Sequence, residues 1–492
     1  MSGHTNADRD ARTRTATAAG QPGRVVVIGG GIAGLAAAHR LLSAGFRVTL
    51  LEETGRLGGK LLAGEIAGAP VDLGAESMLA RRPEAVDLAR AVGVGERLQA
   101  PATATASVWT RGALRPMPKG HVMGVPGDAD ALAGLLSPDG LARIEREREL
   151  PPADLGDDVA IGAFVAQRLG REVVDRLVEP LLGGVYAGDA YRISMRAAVP
   201  QLFEAVREAD GSLQDAVRAV QRSAARRQET GPVFMGIDGG VGTLPLAVAD
   251  AVRAQGGEIR TGARVVGLSR TPEYWLVRTD EWRLVADAVV LATPAGPASA
   301  LLAAESPAAA AELAGVEYAS MALITLAFRR SDLAGQLPEG SGFLVPPVDG
   351  RTIKASTFSA RKWSWVADGA PDLFLLRTSV GRYGEEEQLH REDSELVDVS
   401  LADLHEAIGL TARPVATRVT RWTGGLPQYP VGHLSRVARV RDAVAKLPGL
   451  RVCGAAYDGV GIPACVGSGR RAAEEIIATA PLVRGTVRDG RE

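Results

Sequence analysis

The chain has 492 residues, of which 46% are hydrophobic and 23% charged, and its formal net charge is −2. This length predicts two or three domains, and the near-neutral charge gives no basis for nucleic-acid binding. The two cysteines and six histidines lack the spacing of a disulfide framework or a metal site, so we expect neither.

Both ends of the chain are polar. Residues 1–22 have no apolar core, which predicts a disordered tail and not a signal peptide. A second short tail is expected over 483–492. No uninterrupted apolar run of about 18 residues occurs, so the sequence predicts no transmembrane helix and no stable membrane insertion.

A βαβ unit is predicted at the start of the folded part. The β-branched run 25–28 shows no alternation, which is typical of a parallel strand covered on both faces. The pattern Gly29-x-Gly31-x-x-Gly34 follows it at once. The first glycine allows a tight turn, the second lets backbone approach a pyrophosphate, and the third lets the next helix pack against the sheet.

A helix, a second strand and an acid complete this unit. Residues 35–44 are rich in Ala and Leu and predict a helix whose N-terminal N–H groups can hold phosphates. The predicted strand 47–51 leads to Glu52, which lies 18 residues beyond Gly34 and can accept a ribose hydroxyl. The whole pattern predicts a dinucleotide-binding domain.

A second glycine cluster, Arg56-Leu57-Gly58-Gly59-Lys60, follows where a nicotinamide enzyme would continue into its next strand. Arg56 and Lys60 can neutralise a pyrophosphate, and Gly59 permits close backbone approach. Near the other end, residues 453–463 read as a strand, a glycine-rich loop and a helix start. Such a loop can present backbone N–H groups to the N1/O2 edge of a flavin, so the motifs together favour FAD over NAD.

The remaining segments alternate in character along the chain. Helical signals dominate between residues 83 and 221, and strand patterns mixed with one helix occupy residues 315–422. We therefore predict an α/β protein with a discontinuous Rossmann-like FAD-binding domain, a helical insertion and an α+β substrate-binding domain. The expected bounds are 23–82, 232–297 and 423–482 for the first, 83–231 for the second and 298–422 for the third.

Taken together, these motifs resemble those of the flavin amine oxidase and protoporphyrinogen oxidase superfamily, whose fold is p-hydroxybenzoate hydroxylase-like. The resemblance rests on GGGIAGLAAA, the acid Glu52, GRLGGK, DLGAES, LATP at 291–294 and the C-terminal glycine-rich segment. A closer resemblance, to bacterial oxygen-dependent porphyrinogen oxidases, rests on four further segments. These are RPMPKGHVMGVP (115–126), EPLLGGVYAGDAYRISMRAAVPQL (179–202), RWTGGLPQYPVGHL (421–434) and AAYDGVGIPACVGSGRRAA (455–473).

The resemblance implies non-covalent FAD, because no cysteine occupies a plausible position for a covalent flavin link. It implies no catalytic side chain, since the flavin N5 performs the hydride chemistry. The implied cofactor contacts are Gly29, Gly30, Gly31, Ile32, Ala33 and Gly34 at the pyrophosphate, Glu52 and Glu53 at the ribose, Arg56, Gly59 and Lys60 at the phosphates, Gly74, Ala75, Glu76 and Ser77 along the isoalloxazine, Val265 at the adenine, Trp422 near the flavin, and Val460, Gly461 and Ile462 at the N1/O2 edge.

The implied activity is the oxidation of coproporphyrinogen III to coproporphyrin III in haem biosynthesis, with dioxygen as acceptor and hydrogen peroxide as by-product. Arg81 and Arg82 are candidate contacts for the substrate's propionates, because arginine can bind a carboxylate through two hydrogen bonds. The resemblance also implies a cytoplasmic protein, and it leaves open a transient contact with the next haem-pathway enzyme.

Other interpretations share the nucleotide motifs. A protoporphyrinogen IX oxidase, an amine oxidase and a carotenoid desaturase stay open, as does a non-catalytic flavoprotein or NAD-binding module. An amine oxidase would need an aromatic pair near the C-terminal motif, where the sequence offers Tyr457 alone. Glu76 also departs from the monoamine oxidases, which usually have a basic or small residue there.

Overall fold

The computed structural model describes residues 23–226, 231–333, 335–337 and 339–479. The tails expected over 1–22 and 483–492 lie outside these residues. The described chain forms a five-stranded parallel sheet, which we call the nucleotide sheet, and a seven-stranded mixed sheet, which we call the large sheet. A group of helices and several short hairpins complete the fold, so the predicted α/β class is confirmed.

The nucleotide sheet is assembled from distant parts of the chain. Its strands are, in spatial order, Glu258–Arg260, Arg47–Leu51, Arg24–Ile28, Ala288–Leu291 and Leu450–Val452. All neighbours are parallel, and Val25 is paired with both Val48 and Ala288. The central strand is buried on both faces because Val25 and Val27 join one hydrophobic core while Val26 and Ile28 join another. This explains the unbroken apolar run at 25–28.

Helices cover one face of the nucleotide sheet, and a mixed layer covers the other. The first face packs against the helices Ile32–Ser43, Pro83–Ala91, Leu244–Ala254 and Ile462–Thr479. The second face packs against the antiparallel strands Val265–Arg270, Trp275–Thr279 and Arg283–Ala286 and the helices Ala295–Leu302, Pro307–Ala314 and His433–Ala445. We call Ile32–Ser43 the dinucleotide helix and Ile462–Thr479 the terminal helix.

The large sheet contains two strands of 12 residues each, Tyr318–Arg329 and Ala416–Pro427. Its spatial order is Ala416–Pro427, Tyr318–Arg329, Leu373–Val380, Ile353–Thr357, Gly342–Leu344, Ser107–Thr110 and Ala113–Pro116. Thr378 hydrogen-bonds Ser400 of the helix Asp393–Ile408, which therefore covers one face. Arg377, the residue before Thr378, donates to the carbonyl of Gly74, so the opposite face is turned toward the FAD-binding motifs.

The helical group has a hydrophobic core of its own. Its helices are Pro138–Glu145, Ile161–Leu169, Arg171–Val173, Glu179–Tyr186, Met195–Ala198, Pro200–Glu208 and Leu213–Arg226. A π-helical stretch, Val174–Val178, joins the third to the fourth, so residues 171–186 are one continuous helical segment. In the described part of the chain, no helix has both the length and the apolar character needed to cross a bilayer.

The hairpin Ser107–Thr110 and Ala113–Pro116 lies within the predicted helical insertion, yet it forms the edge of the large sheet. Arg111 and Gly112 close its turn with φ of +53° and +70°. The strand Ala416–Pro427 also crosses the expected boundary at 422. The domain bounds themselves stay predictions.

The smaller elements connect these layers. The short strands are Ala63–Ile66, Ala69–Asp72, Met78–Leu79, Leu98–Gln99, His121–Val122, Val125–Pro126 and Phe234–Ile237. The short helices are Ser359–Lys362, Ser364–Gly369 and Ala455–Asp458, and the 3-10 turns are Gly95–Arg97, Asp130–Leu132, Arg146–Glu149, Val241–Thr243, Arg330–Leu333, Pro347–Asp349 and Glu386–His390.

Candidate functional site

The first glycine loop lies between the central strand of the nucleotide sheet and the dinucleotide helix. Gly29 has φ of +111°, and a Cβ there would lie 2.7 Å from the carbonyl oxygen of Ala292. A Cβ on Gly34 would lie 2.0 Å from the carbonyl oxygen of Gly29. A Cβ on Gly31, in contrast, would meet no atom within 4 Å. The loop is therefore tightly packed on its inner side and open at Gly31, where the helix begins.

Glu52 is held against this loop by both carboxylate oxygens. Its Oε2 accepts a hydrogen bond from the Gly30 N–H at 2.7 Å. Its Oε1 accepts from the N–H of Thr54 at 2.9 Å and from its hydroxyl at 2.7 Å. A carboxylate has about four lone-pair sites, so one or more stay available for a ribose hydroxyl at the end of the strand.

Val265, expected at the adenine, lies on a segment that runs beside Glu52. The N–H of Ala263 donates to the Glu52 carbonyl at 2.8 Å, and Arg264 pairs with Glu53 at 3.3 Å. The structure therefore brings Glu52, Glu53 and the chain entering Val265 together at one end of the glycine loop.

The second glycine cluster packs directly on the first. The Gly58 N–H donates to the Gly30 carbonyl at 2.9 Å, and a Cβ on Gly59 would lie 3.3 Å from the Cα of Gly31. Arg56 and Lys60 both lie over the Trp422 ring, at 5.6 and 5.8 Å from its centroid. Two predicted cofactor contacts from the second glycine cluster thus meet a third, Trp422, from a distant part of the chain, and Gly59 of the same cluster lies beside Gly31.

Arg56 and Lys60 form an isolated cationic pair. Within the described residues neither forms an ion pair with a carboxylate. Burial, reinforced by the neighbouring Arg56 charge, lowers the pKa of Lys60. An anion placed between the two cations would remove their mutual repulsion and favour the charged lysine. This arrangement fits a pyrophosphate.

Residues 74–77 form the next wall of the site. The Trp422 indole N–H donates to the carbonyl of Leu73 at 3.1 Å, and a Cβ on Gly74 would lie 2.2 Å from the Lys60 carbonyl oxygen. Ala75 is exposed although both of its neighbours are buried. The strip therefore presents one small residue to open space, as a flat ring requires.

Glu76 is part of a buried ion-pair cluster. Its carboxylate lies 2.6 Å from the Lys362 ammonium and 3.2 Å from the Arg377 guanidinium. Burial alone would raise its pKa, but Arg377 and Lys362 together lower it. Glu76 is thus ionised and connects the large sheet to the nucleotide domain. Sequence reasoning missed both cations, although Lys362 is one of only five lysines in the chain.

The loop before the terminal helix is open at two of its glycines, Gly454 and Gly461. Gly454 and Gly459 have φ of +124° and +126°, and a Cβ on Gly454 would meet no atom within 4 Å. A Cβ on Gly461 would meet only Pro463, at 3.9 Å. The terminal helix starts at Ile462. Residues 460–462 therefore form an open loop at a helix N-terminus.

Asp458 fixes the shape of this loop. It accepts hydrogen bonds from Arg441 at 2.7 Å, from Arg471 at 2.5 Å and from the Ser468 hydroxyl. Burial opposes its ionisation, but these donors lower its pKa. The terminal helix also lies on the dinucleotide helix, because a Cβ on Gly469 would be 2.0 Å from the Ala33 carbonyl oxygen. The C-terminal loop is thereby held beside the first glycine loop.

An aromatic group, of which Tyr429 and His433 are not predicted from the sequence, connects the helical group to the C-terminal loop. The rings of Tyr186 and Tyr429 meet edge to face at 5.6 Å, and Tyr429 stacks on His433 at 4.4 Å. The Tyr429 hydroxyl donates to the Ala455 carbonyl. Burial raises the pKa of Tyr186 to about 12. Val460 packs against the same helical core, so this group closes one side of the site.

Arg81 and Arg82, the candidate propionate contacts, lie at the start of the helix Pro83–Ala91 and are exposed. Arg82 is paired with Glu84 at 2.5 Å. A substrate carboxylate would therefore compete with Glu84 for this guanidinium. Their assignment stays a prediction.

The residues present fit FAD. The fit rests on the open space at Gly31, the cationic pair Arg56 and Lys60, and the open loop at Gly454 and Gly461. These features are connected by a continuous series of contacts that runs from Glu52 to the terminal helix. Within the described ranges, no group of three or more His, Cys, Asp or Glu side chains is arranged to hold a metal ion.

Comparisons with known proteins agree with this geometry. The family model for flavin containing amine oxidoreductase matches residues 32–477. The coproporphyrinogen III oxidase of Mycobacterium tuberculosis is 38% identical over 461 residues, which cover 93% of this chain and 98% of the relative. The protoporphyrinogen oxidase of Bos taurus is 29% identical and covers 93% and 99%.

A solved structure from Exiguobacterium sp. superposes with a TM-score of 0.82 at 34% identity, covering 93% of this chain and 99% of that one. Both the sequence matches and this superposition extend over the nucleotide sheet, the large sheet and the helical group. The chain is an FAD-dependent oxidoreductase, and it belongs to the flavin containing amine oxidoreductase family, in the branch that includes the bacterial coproporphyrinogen III oxidases.

Proposed function

We propose that this enzyme oxidises coproporphyrinogen III to coproporphyrin III, with dioxygen as the final acceptor and hydrogen peroxide as by-product. The single observation that carries the proposal is the 38% identity to the Mycobacterium tuberculosis enzyme over nearly the whole of both chains. The geometry supports it, because the site lies where the nucleotide sheet, the large sheet and the helical group meet. Such a three-sided junction suits a large flat macrocycle.

In this proposal the chain positions the reactants and excludes water. Bound FAD supplies a two-electron acceptor that dioxygen can reoxidise. Glu52 and the two glycine clusters would hold its adenosine and pyrophosphate, while Trp422 and residues 74–77 would border its ring. Residues 460–462 would present the positive end of the terminal helix to the ring edge where negative charge develops. Three rounds of two-electron oxidation convert a porphyrinogen to a porphyrin.

Non-covalent binding of FAD is part of the proposal. Both cysteines are free and buried. Burial raises the pKa of Cys465 to about 12 and raises that of Cys453 further. Both thiols therefore stay protonated and are poor nucleophiles. We expect acid precipitation of the holoenzyme to release all of its FAD into the supernatant, and flavin that stays with the pellet would contradict this.

A cytoplasmic location and a transient contact with the next haem-pathway enzyme complete the proposal. The free cysteines are compatible with a reducing compartment. Transfer of the porphyrin product from this enzyme to the purified next enzyme of the pathway can be followed by porphyrin fluorescence, with and without an excess of an inert protein.

The decisive experiment compares two substrates in air. FAD-loaded protein is mixed with coproporphyrinogen III or with protoporphyrinogen IX, and porphyrin fluorescence and peroxide are followed together. We expect rapid porphyrin formation with the first substrate and about one peroxide per two-electron step. A preference for protoporphyrinogen IX would assign the alternative substrate, and no porphyrin from either would contradict the proposal.

A further inference from the structure

Lys354 is a buried lysine on the strand Ile353–Thr357, the fourth strand of the large sheet counted from the edge strand that carries Trp422. It is 6% exposed. Its ammonium makes one contact, to the sulfur of Met321 at 3.9 Å. Within the described residues it forms no ion pair. A buried ammonium without an acceptor is costly, so this side chain calls for an explanation.

A β-bulge aims Lys354 at the flavin side of the sheet. The pairing of Ile353–Thr357 with Leu373–Val380 shifts between Ile353 and Ala355, which leaves Lys354 as the extra residue. Ala355 is paired with Ser379, two residues from Arg377 and on the same face. Bulges of this kind redirect a side chain and recur beside active sites.

The contact with Met321 confirms which face Lys354 occupies. Met321 is the register partner of Trp422, so the two side chains share a face of the sheet. Trp422 in turn lies against Gly74 and beneath Arg56 and Lys60. The amine of Lys354 therefore lies on the face that borders the FAD-binding motifs.

The elements packed around Lys354 leave space at two positions. Met321, at the tip of the lysine, is only partly buried. The helix Glu179–Tyr186 packs against the strand that carries Lys354, and a Cβ on Gly183 of that helix would meet no atom within 4 Å. The lysine thus lies at the junction where the proposed substrate would be held.

The charges around Lys354 favour an incoming anion. Arg382, whose charge acts on Lys354, is 8% exposed and donates to the carbonyls of Val345 and Ile353. Among the described residues, Glu385 is the carboxylate that forms an ion pair with Arg382, at 3.3 Å, and it is exposed. From the helical group, Glu179 also faces Arg382 but accepts the Ala190 N–H at 2.7 Å. The two buried cations therefore face one exposed carboxylate, Glu385, and one, Glu179, that also accepts a backbone N–H.

We propose that Lys354 binds a carboxylate of the substrate and so selects for porphyrinogens that carry a propionate at this position. The proposal rests on the proposed function for its choice of ligand. A substrate carboxylate would give the Lys354 ammonium both a hydrogen-bond acceptor and a neutralising negative charge. The same side chain would then reject a macrocycle with an apolar group at that place, because the ammonium would stay unpaired.

The ionisation of Lys354 provides a signature. Burial, aided by Arg382 and opposed by Glu385, lowers its pKa to about 7. A bound carboxylate stabilises the ammonium, so binding takes up a proton. For a group with this pKa we expect the dissociation constant of a carboxylate ligand to rise about tenfold between about pH 6 and about pH 8. Glu179, whose pKa burial raises to about 7, titrates in the same range, so a Lys354 variant is needed to separate them.

The test measures binding of coproporphyrin III and of its tetramethyl ester to FAD-loaded protein by fluorescence titration. The ester lacks the carboxylates but keeps the ring. In Lys354→Met we expect coproporphyrin III to bind roughly 10- to 100-fold more weakly at about pH 6, with the ester unchanged. In Lys354→Arg we expect binding to persist and its pH dependence to flatten, because a guanidinium stays charged.

Two controls keep the outcomes distinct. Lys446→Met alters an exposed lysine at the end of the helix His433–Ala445 and should change nothing. The melting temperature of Lys354→Met should not fall, since the variant removes an unpaired buried charge. The proposal would be overturned if Lys354→Met weakened the binding of coproporphyrin III and of its ester equally, or if the variant bound both like wild type. In either case oxidation of the porphyrinogen by the wild-type enzyme would leave the proposed function standing. A wild-type enzyme that neither binds nor oxidises the porphyrin compounds would overturn both.

Discussion

The two carboxylate oxygens of Glu52 accept hydrogen bonds from different partners. Replacing one of these oxygens by an amide nitrogen should therefore disturb one set of hydrogen bonds. Oε2 accepts from the backbone of the glycine loop, and Oε1 accepts from Thr54. An amide in its place keeps the shape but turns one acceptor into a donor. The loop would then face an N–H group where it needs an oxygen.

For Glu52→Gln we expect FAD to bind roughly 10- to 100-fold more weakly, because hydrogen bonds to a charged acceptor contribute about 1.5–3 kcal/mol. The dissociation constant is measured by flavin fluorescence after reconstitution of apoprotein. Glu65→Gln, on an exposed position of the strand Ala63–Ile66, serves as the matched control. Equal affinities for wild type and Glu52→Gln would rule out this role.

The buried His433 makes the free energy of unfolding depend on pH in the acidic range. It is 2% exposed and stacks on Tyr429. Burial, with a contribution from Arg436, lowers its pKa from 6.5 to about 4. The unfolded chain therefore binds more protons than the folded one between these values, and stability is lost as the pH falls from 6.5 toward 4.

The expected size of this effect is roughly 3 kcal/mol over the whole window. We expect the melting temperature of His433→Phe, which keeps an aromatic ring against Tyr429, to fall less steeply over that pH range than that of wild type. Differential scanning calorimetry at a series of pH values measures both slopes. Parallel curves would show that another group controls acid sensitivity.

At the scale of elements, the terminal helix and the dinucleotide helix touch through backbone. Gly469 is the contact point, since a Cβ there would lie 2.0 Å from the Ala33 carbonyl oxygen. Gly467 lies two residues earlier on the same helix, and a Cβ there would make an ordinary contact of 3.4 Å with Glu84. The two glycines therefore form a matched pair.

We expect Gly469→Ala to lower stability by about 1–3 kcal/mol, because the helices must separate or bend. Gly467→Ala should be neutral or stabilising by about 0.5–1 kcal/mol, since alanine favours helix. Melting temperatures and the fraction of bound flavin measure both variants. If Gly469→Ala proved as stable as Gly467→Ala, the close contact would not exist.

A glycine in a helix also shows where sequence reasoning reached its limit. The strand Arg47–Leu51 has the predicted bounds, because its apolar pattern is regular. The sequence predicts that the dinucleotide helix starts at residue 35, whereas it begins at Ile32. Glycine disfavours helix, so local propensity starts the helix after Gly34, whereas close packing against the Gly29 carbonyl keeps Gly34 helical.

The candidate site divides in the same way. The glycine loops could be predicted because each is a local pattern with a known backbone requirement. Lys362 and Arg377 could not, since they are 286 and 301 residues from Glu76 and no local pattern links them. Lys354 depends on a bulge, which the alternation of a short strand does not reveal.

For the whole molecule, the Glu76 cluster is a buried ionic connection between the large sheet and the nucleotide domain. All three side chains are largely buried. Removing one member leaves the others as uncompensated buried charges, which typically costs about 3–5 kcal/mol. The loss should therefore affect the contact between domains and, through residues 74–77, the retention of flavin.

We expect Glu76→Gln to lower the melting temperature by several degrees, and Glu76→Gln combined with Lys362→Met to recover part of the loss. Glu84→Gln, which breaks the more exposed pair with Arg82, should cost less than about 1 kcal/mol. Additive losses in the double variant would show that Glu76 and Lys362 are not coupled.

The nucleotide sheet also sets the order in which a growing polypeptide can become an enzyme. Its central strand Arg24–Ile28 leaves the ribosome early, whereas its outermost strand Leu450–Val452 is made 422 residues after Ile28. Pairings at such separation are slow to form and leave apolar strand edges uncovered meanwhile. The chain therefore cannot complete its flavin-binding sheet until synthesis is nearly finished. Protection by chaperones matters more for it than for a protein whose cofactor domain is contiguous.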